Sequence, residues 1–90
     1  MTTRKLSAMP YAQAHIEITE DFILLFSYRT LVAALHRDGW LSINGLYSMT
    51  TRKHIGAFMR EYCNADYQLA KRMVEDNFNY NVLTGEVVYN

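Results

Sequence analysis

Between Phe22 and Tyr62 the chain changes its hydrophobic period twice, and this constrains the fold more than any other feature. Phe22-Ile23-Leu24-Leu25-Phe26-Ser27-Tyr28 is apolar on both sides of an extended chain. Such a short, aromatic-rich run suits a central strand covered on both faces, or a strand at a dimer contact. Arg29-Thr30 interrupts it, and Leu31 to His36 forms a further strand candidate. Asp38-Gly39 and Asn44-Gly45 are tight-turn dipeptides. After Tyr47 the spacing becomes helical: Ile55, Phe58, Met59 and Tyr62 stand at i, i+3, i+4 and i+7, the apolar stripe of an amphipathic helix. Ser48 or Thr50 is placed to cap it. Strands joined by tight turns and followed by a helix define an α+β domain.

The turns also imply a register. Taken as two-residue turns, they set Ala34 opposite Ile43, His36 opposite Leu41, and Ile43 opposite Leu46. One sheet face would then carry Val32, Ala34, His36, Leu41, Ile43 and Leu46, and is the expected core side. The other would carry Leu31, Ala33, Leu35, Arg37, Trp40, Ser42 and Tyr47, with Arg37 against Trp40 as a cation–π pair.

The flanks extend this plan. Residues 1–10 read as a polar, loosely held lead-in. From Ala12 to Thr19 apolar and polar residues alternate, which marks a half-buried strand. Gly56 interrupts the helix at a cost of about 1 kcal/mol relative to Ala, a sign that something packs close there. Cys63-Asn64 ends or bends the helix. Asn64 is expected to cap a second one, with Leu69, Ala70, Met73 and Val74 on its buried side. Tyr80–Leu83 and Glu86–Tyr89 flank Thr84-Gly85, as a terminal hairpin or a single edge strand. The expected fold is one α+β domain over residues 1–90. It has a small antiparallel sheet of three to five strands against two C-terminal helices.

Composition narrows the chemistry. Ninety residues, half of them apolar, include seven Tyr, four Phe and one Trp. So much apolar surface in so small a body suggests a homodimer. Nine basic residues balance nine acidic ones, which argues against a non-specific polyanion binder. The charge is nevertheless polarised. Arg29, Arg37, Arg52, Lys53 and Arg60 precede an acidic stretch that begins at Glu61. The single Cys63 excludes an internal disulfide. No apolar run approaches the ~20 residues of a membrane helix, so a soluble, intracellular chain is expected.

No catalytic, metal or cofactor motif stands out. His15, His36, His54 and Cys63 are not at ligand spacing. Cys63 lies at a helix C-terminus, which disfavours a thiolate. Glu20-Asp21 and Glu75-Asp76 read as solvated pairs, and the four glycines are isolated. The chain is therefore read as a non-enzyme without metal or cofactor. The candidate contacts with a partner protein or nucleic acid are Arg37, Trp40, Tyr47, Arg52, Lys53 and Arg60. The helix start with Arg52 and Lys53 would suit phosphate, and Trp40 and Tyr47 would suit base stacking.

Two segments carry a resemblance. Ser27-Tyr28-Arg29-Thr30-Leu31-Val32-Ala33 and Leu46-Tyr47-Ser48-Met49-Thr50-Thr51-Arg52-Lys53-His54-Ile55 resemble an uncharacterised group of very small bacteriophage-encoded proteins. Its pattern is Ser-Tyr-x-Thr-x-Val-Ala, then Tyr-Ser-x-Thr-Thr-x-x-His-Ile. Arg52 departs from it, standing where Ser is common. The resemblance implies a phage setting in the cytoplasm of a bacterial host. By analogy, it implies an accessory role: binding, and inhibiting, a host or anti-phage defence protein. The alternative is a small nucleic-acid-binding module that uses the basic 37–60 region.

Overall fold

The computed structural model describes all 90 residues. Seven strands form one antiparallel sheet in sequence order: β1 (Thr2–Arg4), β2 (Ala14–Ile18), β3 (Phe22–Ser27), β4 (Thr30–His36), β5 (Trp40–Ile43), β6 (Phe78–Asn81) and β7 (Val87–Tyr89). Helices α1 (Met49–Tyr62) and α2 (Tyr67–Glu75) are inserted between β5 and β6 and cover one face of the sheet. The α+β class is as expected, but three to five strands was too few. Nor are the helices C-terminal, since the final hairpin follows them and extends the sheet.

The added strands have physical explanations. β1 is Thr-Thr-Arg, fully exposed and without apolar alternation. Only its pairing with β2, Thr3 opposite Glu17, makes it a strand. Just after it, Leu6 is completely buried, so the lead-in contributes to both the sheet edge and the core. At the other end, β6 joins β5 through Leu41 opposite Tyr80.

The register of β4 against β5 differs from the expected one by a single residue. Ala33 faces Ile43, Ala34 faces Ser42 and Leu35 faces Leu41. The cause lies in the turn. The Gly39 amide donates to the His36 carbonyl at 2.8 Å, and Gly39 takes φ +99°. The connection is thus a turn followed by a left-handed glycine, which is longer than a two-residue loop. One added residue inverts the face of every side chain beyond it. Leu35 therefore points to the core, while Ala34 and His36 point away. A second irregularity preserves Val32: Leu25 pairs with Ala33 and Phe26 with Leu31, leaving Val32 as an extra residue. This bulge lets both Val32 and Ala33 be fully buried. Asn44-Gly45 makes no hairpin. Instead Asn44 bonds back to the bulge, its amide to the Val32 carbonyl (2.8 Å) and its side chain to the Leu31 carbonyl (2.9 Å).

The core is one cluster. Ile16, Leu25, Leu35 and Leu41 from the sheet meet Ile55, Phe58 and Met59 from α1 and Ala70 and Met73 from α2. Ser48 caps α1, its hydroxyl accepting from the Thr51 amide at 3.2 Å. The cap of α2 is Asp66, which accepts from the Gln68 amide at 2.9 Å. Asn64, expected in that role, instead closes α1 at φ +50°, a left-handed conformation Asn tolerates. No helix is long and apolar enough to cross a membrane.

Candidate functional site

Ser27 ends β3 and is almost fully buried beside α1. Its hydroxyl lies 2.8 Å from His54 Nδ1 and 2.9 Å from Thr51 Oγ1, and Thr51 in turn is 3.2 Å from Ser48 Oγ. The segments around residues 27–33 and 46–55 thus meet inside the fold. One consistent proton assignment runs Ser48 to Thr51 to Ser27 to His54, with neutral Nδ1 as the final acceptor. Burial lowers the His54 pKa below its ordinary value of 6.5, which suits the neutral ring. A serine against an imidazole is also the pairing of hydrolytic nucleophiles. Here Ser27 is 2% and His54 1% exposed, and neither lines a cleft. The half-exposed Tyr28 ring sits 6.1 Å from the His54 ring. The network braces α1 against the sheet. The sequence reading missed this contact; its only local signal was that Ser27, Thr51 and His54 all belonged to the matching pattern.

The other reactive types are equally internal or dispersed. Burial pushes the Cys63 thiol up to about 12. No three His, Cys, Asp or Glu side chains converge. Asn81 is buried, and both its side-chain oxygen and its side-chain nitrogen are hydrogen-bonded. It accepts from the Leu83 and Thr84 amides (2.9 and 3.1 Å) and donates to the Asp38 carbonyl (3.2 Å). It thereby ties the β6–β7 loop to the β4–β5 turn.

Two surfaces stand out, on opposite sides. The first is a cleft of about 480 Å³ along the outer side of α1, lined by Arg52, Lys53 and Arg60 with Met9, Met49 and Tyr67. Positions 49, 52, 53, 56 and 60 share one helical face. None of the three cations is in an ion pair, and the buried Tyr67 hydroxyl has no hydrogen-bond partner within the chain. Gly56 is in the floor. A Cβ there would lie 3.5 Å from Arg60 Nη1 and Tyr67 Cβ, an ordinary contact. Glycine is therefore not forced by close packing, and its effect is to leave the cleft deeper.

The second surface is the sheet face away from the helices. Phe22, Leu24 and Phe26 of β3 point there, with Leu31, Ala34 and His36 of β4, Trp40 of β5 and His15 of β2. His15 stacks on Phe26 (4.9 Å, 3°) and Phe22 meets His36 edge-on. Leu24, Phe26, Leu31, Ala34 and Trp40 are partly exposed and do not pack against the core cluster.

The expected contact residues therefore divide. Arg52, Lys53 and Arg60 come together at the cleft. Trp40 is on the opposite side of the molecule. Arg37 pairs with Asp21 at 3.3 Å rather than with Trp40. Tyr47 stands exposed before α1 at φ +52°.

These features define a small two-layer α+β protein with a cationic cleft over its helices and a bare apolar face on its sheet. The chain belongs to a family of unknown function, DUF8033, whose model matches residues 1–76. That span runs from β1 to the end of α2 and stops before the terminal hairpin. No curated protein and no solved structure matches the chain.

Proposed function

We propose that this is a non-enzymatic accessory protein of bacteriophage type. It acts in the bacterial cytoplasm by binding a host or anti-phage defence protein and occluding it. The phage setting rests on the resemblance of the 27–33 and 46–55 segments. The observation that supports binding is the α1 cleft, where three unpaired cations surround Met9, Met49 and Tyr67. Arg, Met and Tyr are enriched where proteins meet, and unpaired cations steer an acidic segment into register. The partner's chemistry is thus an acidic, partly apolar surface. Affinity capture from host lysate tests this. The natural chain should retain one stoichiometric protein, and the triple variant Arg52→Ala/Lys53→Ala/Arg60→Ala should retain at least tenfold less. Equal retention, or no stoichiometric protein at all, would refute it.

Nucleic-acid binding is the second reading, favoured by the same three cations on one helical face. It loses Trp40, one of its two expected stacking residues, which lies across the molecule from them. The contact would rest mainly on the three cations, and such affinity must fall steeply with salt. DNA and RNA binding unchanged in Arg52→Ala/Lys53→Ala would eliminate it.

A further inference from the structure

We infer that the bare sheet face is closed by a second copy of this chain, two sheets packing face to face with the helices outermost. The inference is independent of the cleft. It starts from the side chains that β3 sends away from the core. An antiparallel sheet with one face in water alternates apolar-in with polar-out. Here Phe22, Leu24 and Phe26 occupy the outward positions of β3, flanked by Leu31 and Trp40. Phe22 is 39% exposed at the end of this row.

Charge, area and shape favour a second copy as the occupant. Among the outward positions of the paired strands β2 to β5, the one carboxylate is Glu17, already held by His15 Nε2 at 2.9 Å. A face without free charge offers nothing to attract an acidic or basic partner. It meets its own copy with no like charges opposed. The dyad relation is self-complementary, so one patch serves both copies. Seven strands at ~4.8 Å spacing, about five residues long, project an area of about 500 Å². Two such faces reach the ~1,000 Å² that a specific interface needs. The molecule is a slab, 33 × 29 × 20 Å along its principal axes, and this is one of its broad sides. Polar Thr3 lies on the edge strand β1, at the margin of the aromatic and aliphatic centre, as at the rim of an interface.

Trp40 makes the test direct, because it is the chain's single tryptophan and lies on this face. Sedimentation of the full chain at about 100 µM should give twice the 10.5 kDa mass. Dilution should shift Trp40 emission to the red as the species becomes monomeric. Leu24→Lys/Phe26→Lys should weaken association at least 100-fold with an unchanged circular dichroism spectrum. Leu24→Thr/Phe26→Thr, which keeps strand-forming side chains, gives the same readout if the lysine variant does not fold. Arg52→Ala/Lys53→Ala/Arg60→Ala should remain dimeric, so failure of the cleft and failure of the sheet face are told apart. A monomer at 100 µM with concentration-independent emission would overturn the inference. So would a dimer that survives the folded face variants, or a monomer whose face variants lose capture of a different protein.

Discussion

Strand β3 is apolar on both sides, yet one side joins the core and the other is bare. On the helix side Ile16, Leu25 and Leu41 are completely buried. On the far side Leu24, Phe26 and Trp40, immediate chain neighbours of such residues, touch none of that core. Within β3 the difference does not lie in composition. It arises because α1 and α2 both return over the same side before the chain rejoins the sheet at β6. A strand that is apolar on both faces is therefore ambiguous until the path of the helices is known.

The sharpest way to break this contrast is to truncate adjacent residues of β3. Leu25→Ala should cost about 2–5 kcal/mol, the range for a fully buried leucine. Leu24→Ala should cost less than about 0.5 kcal/mol once the data are referred to the monomer. Urea unfolding across a range of chain concentrations separates the two, and equal losses would mean that the faces are not distinct.

Gly39→Ala comes next, because Gly39 sets which side of β4 faces inward. A methyl group there would collide with Asn81 Oδ1, on a backbone at φ +99°. A loss of about 1–3 kcal/mol is expected from backbone strain alone, with the Asn81 contacts displaced in addition. A neutral result in the same unfolding assay would show that the turn does not govern the register.

The brace between the layers predicts a pH response. The folded His54 pKa lies below 6.5, because burial disfavours the imidazolium. The unfolded chain therefore binds the proton more readily. Stability from this group is complete above about pH 6.5, falls as the pH drops through that value, and levels off below the folded pKa. His54→Gln should be less stable near neutrality yet show a shallower decline between neutral and acidic pH. A decline as steep as that of the natural chain would assign the effect elsewhere. Ser27→Ala, which removes the link itself, should cost about 1–3 kcal/mol.

The smallest expected change has the opposite sign. Gly56→Ala meets only ordinary contacts and gains up to about 1 kcal/mol of helix propensity. It should raise the melting temperature by a few degrees while making the α1 cleft shallower and weakening whatever binds there. Loss of stability instead would show that α1 and α2 are packed too closely at this point for a methyl group.

Elements whose signal is local were legible. The alternation at Ala14, Ile16 and Ile18 became β2, and the stripe at Ile55, Phe58, Met59 and Tyr62 became the buried side of α1 with Ser48 as its cap. Arg52, Lys53 and Arg60 were among the expected contacts, and helical spacing puts them off the apolar stripe on one face. Arg37, Trp40 and Tyr47 did not join it, because they lie on separate elements whose relative placement no local spacing encodes. β1 was hidden for a related reason: an exposed edge strand is defined by the neighbour it pairs with. The Ser27–Thr51–His54 brace joins residues 24 and 27 positions apart, beyond the reach of any periodic pattern.

Order along the chain, and therefore the alternation of strands, turns and helices, was determined by the residues themselves, since backbone preference and amphipathic period act over a few positions. Which side of each strand became interior was decided only in three dimensions. One left-handed glycine, one extra valine and the route of two helices set that choice, and a pleated chain turns its whole apolar set over when its register moves by a single residue.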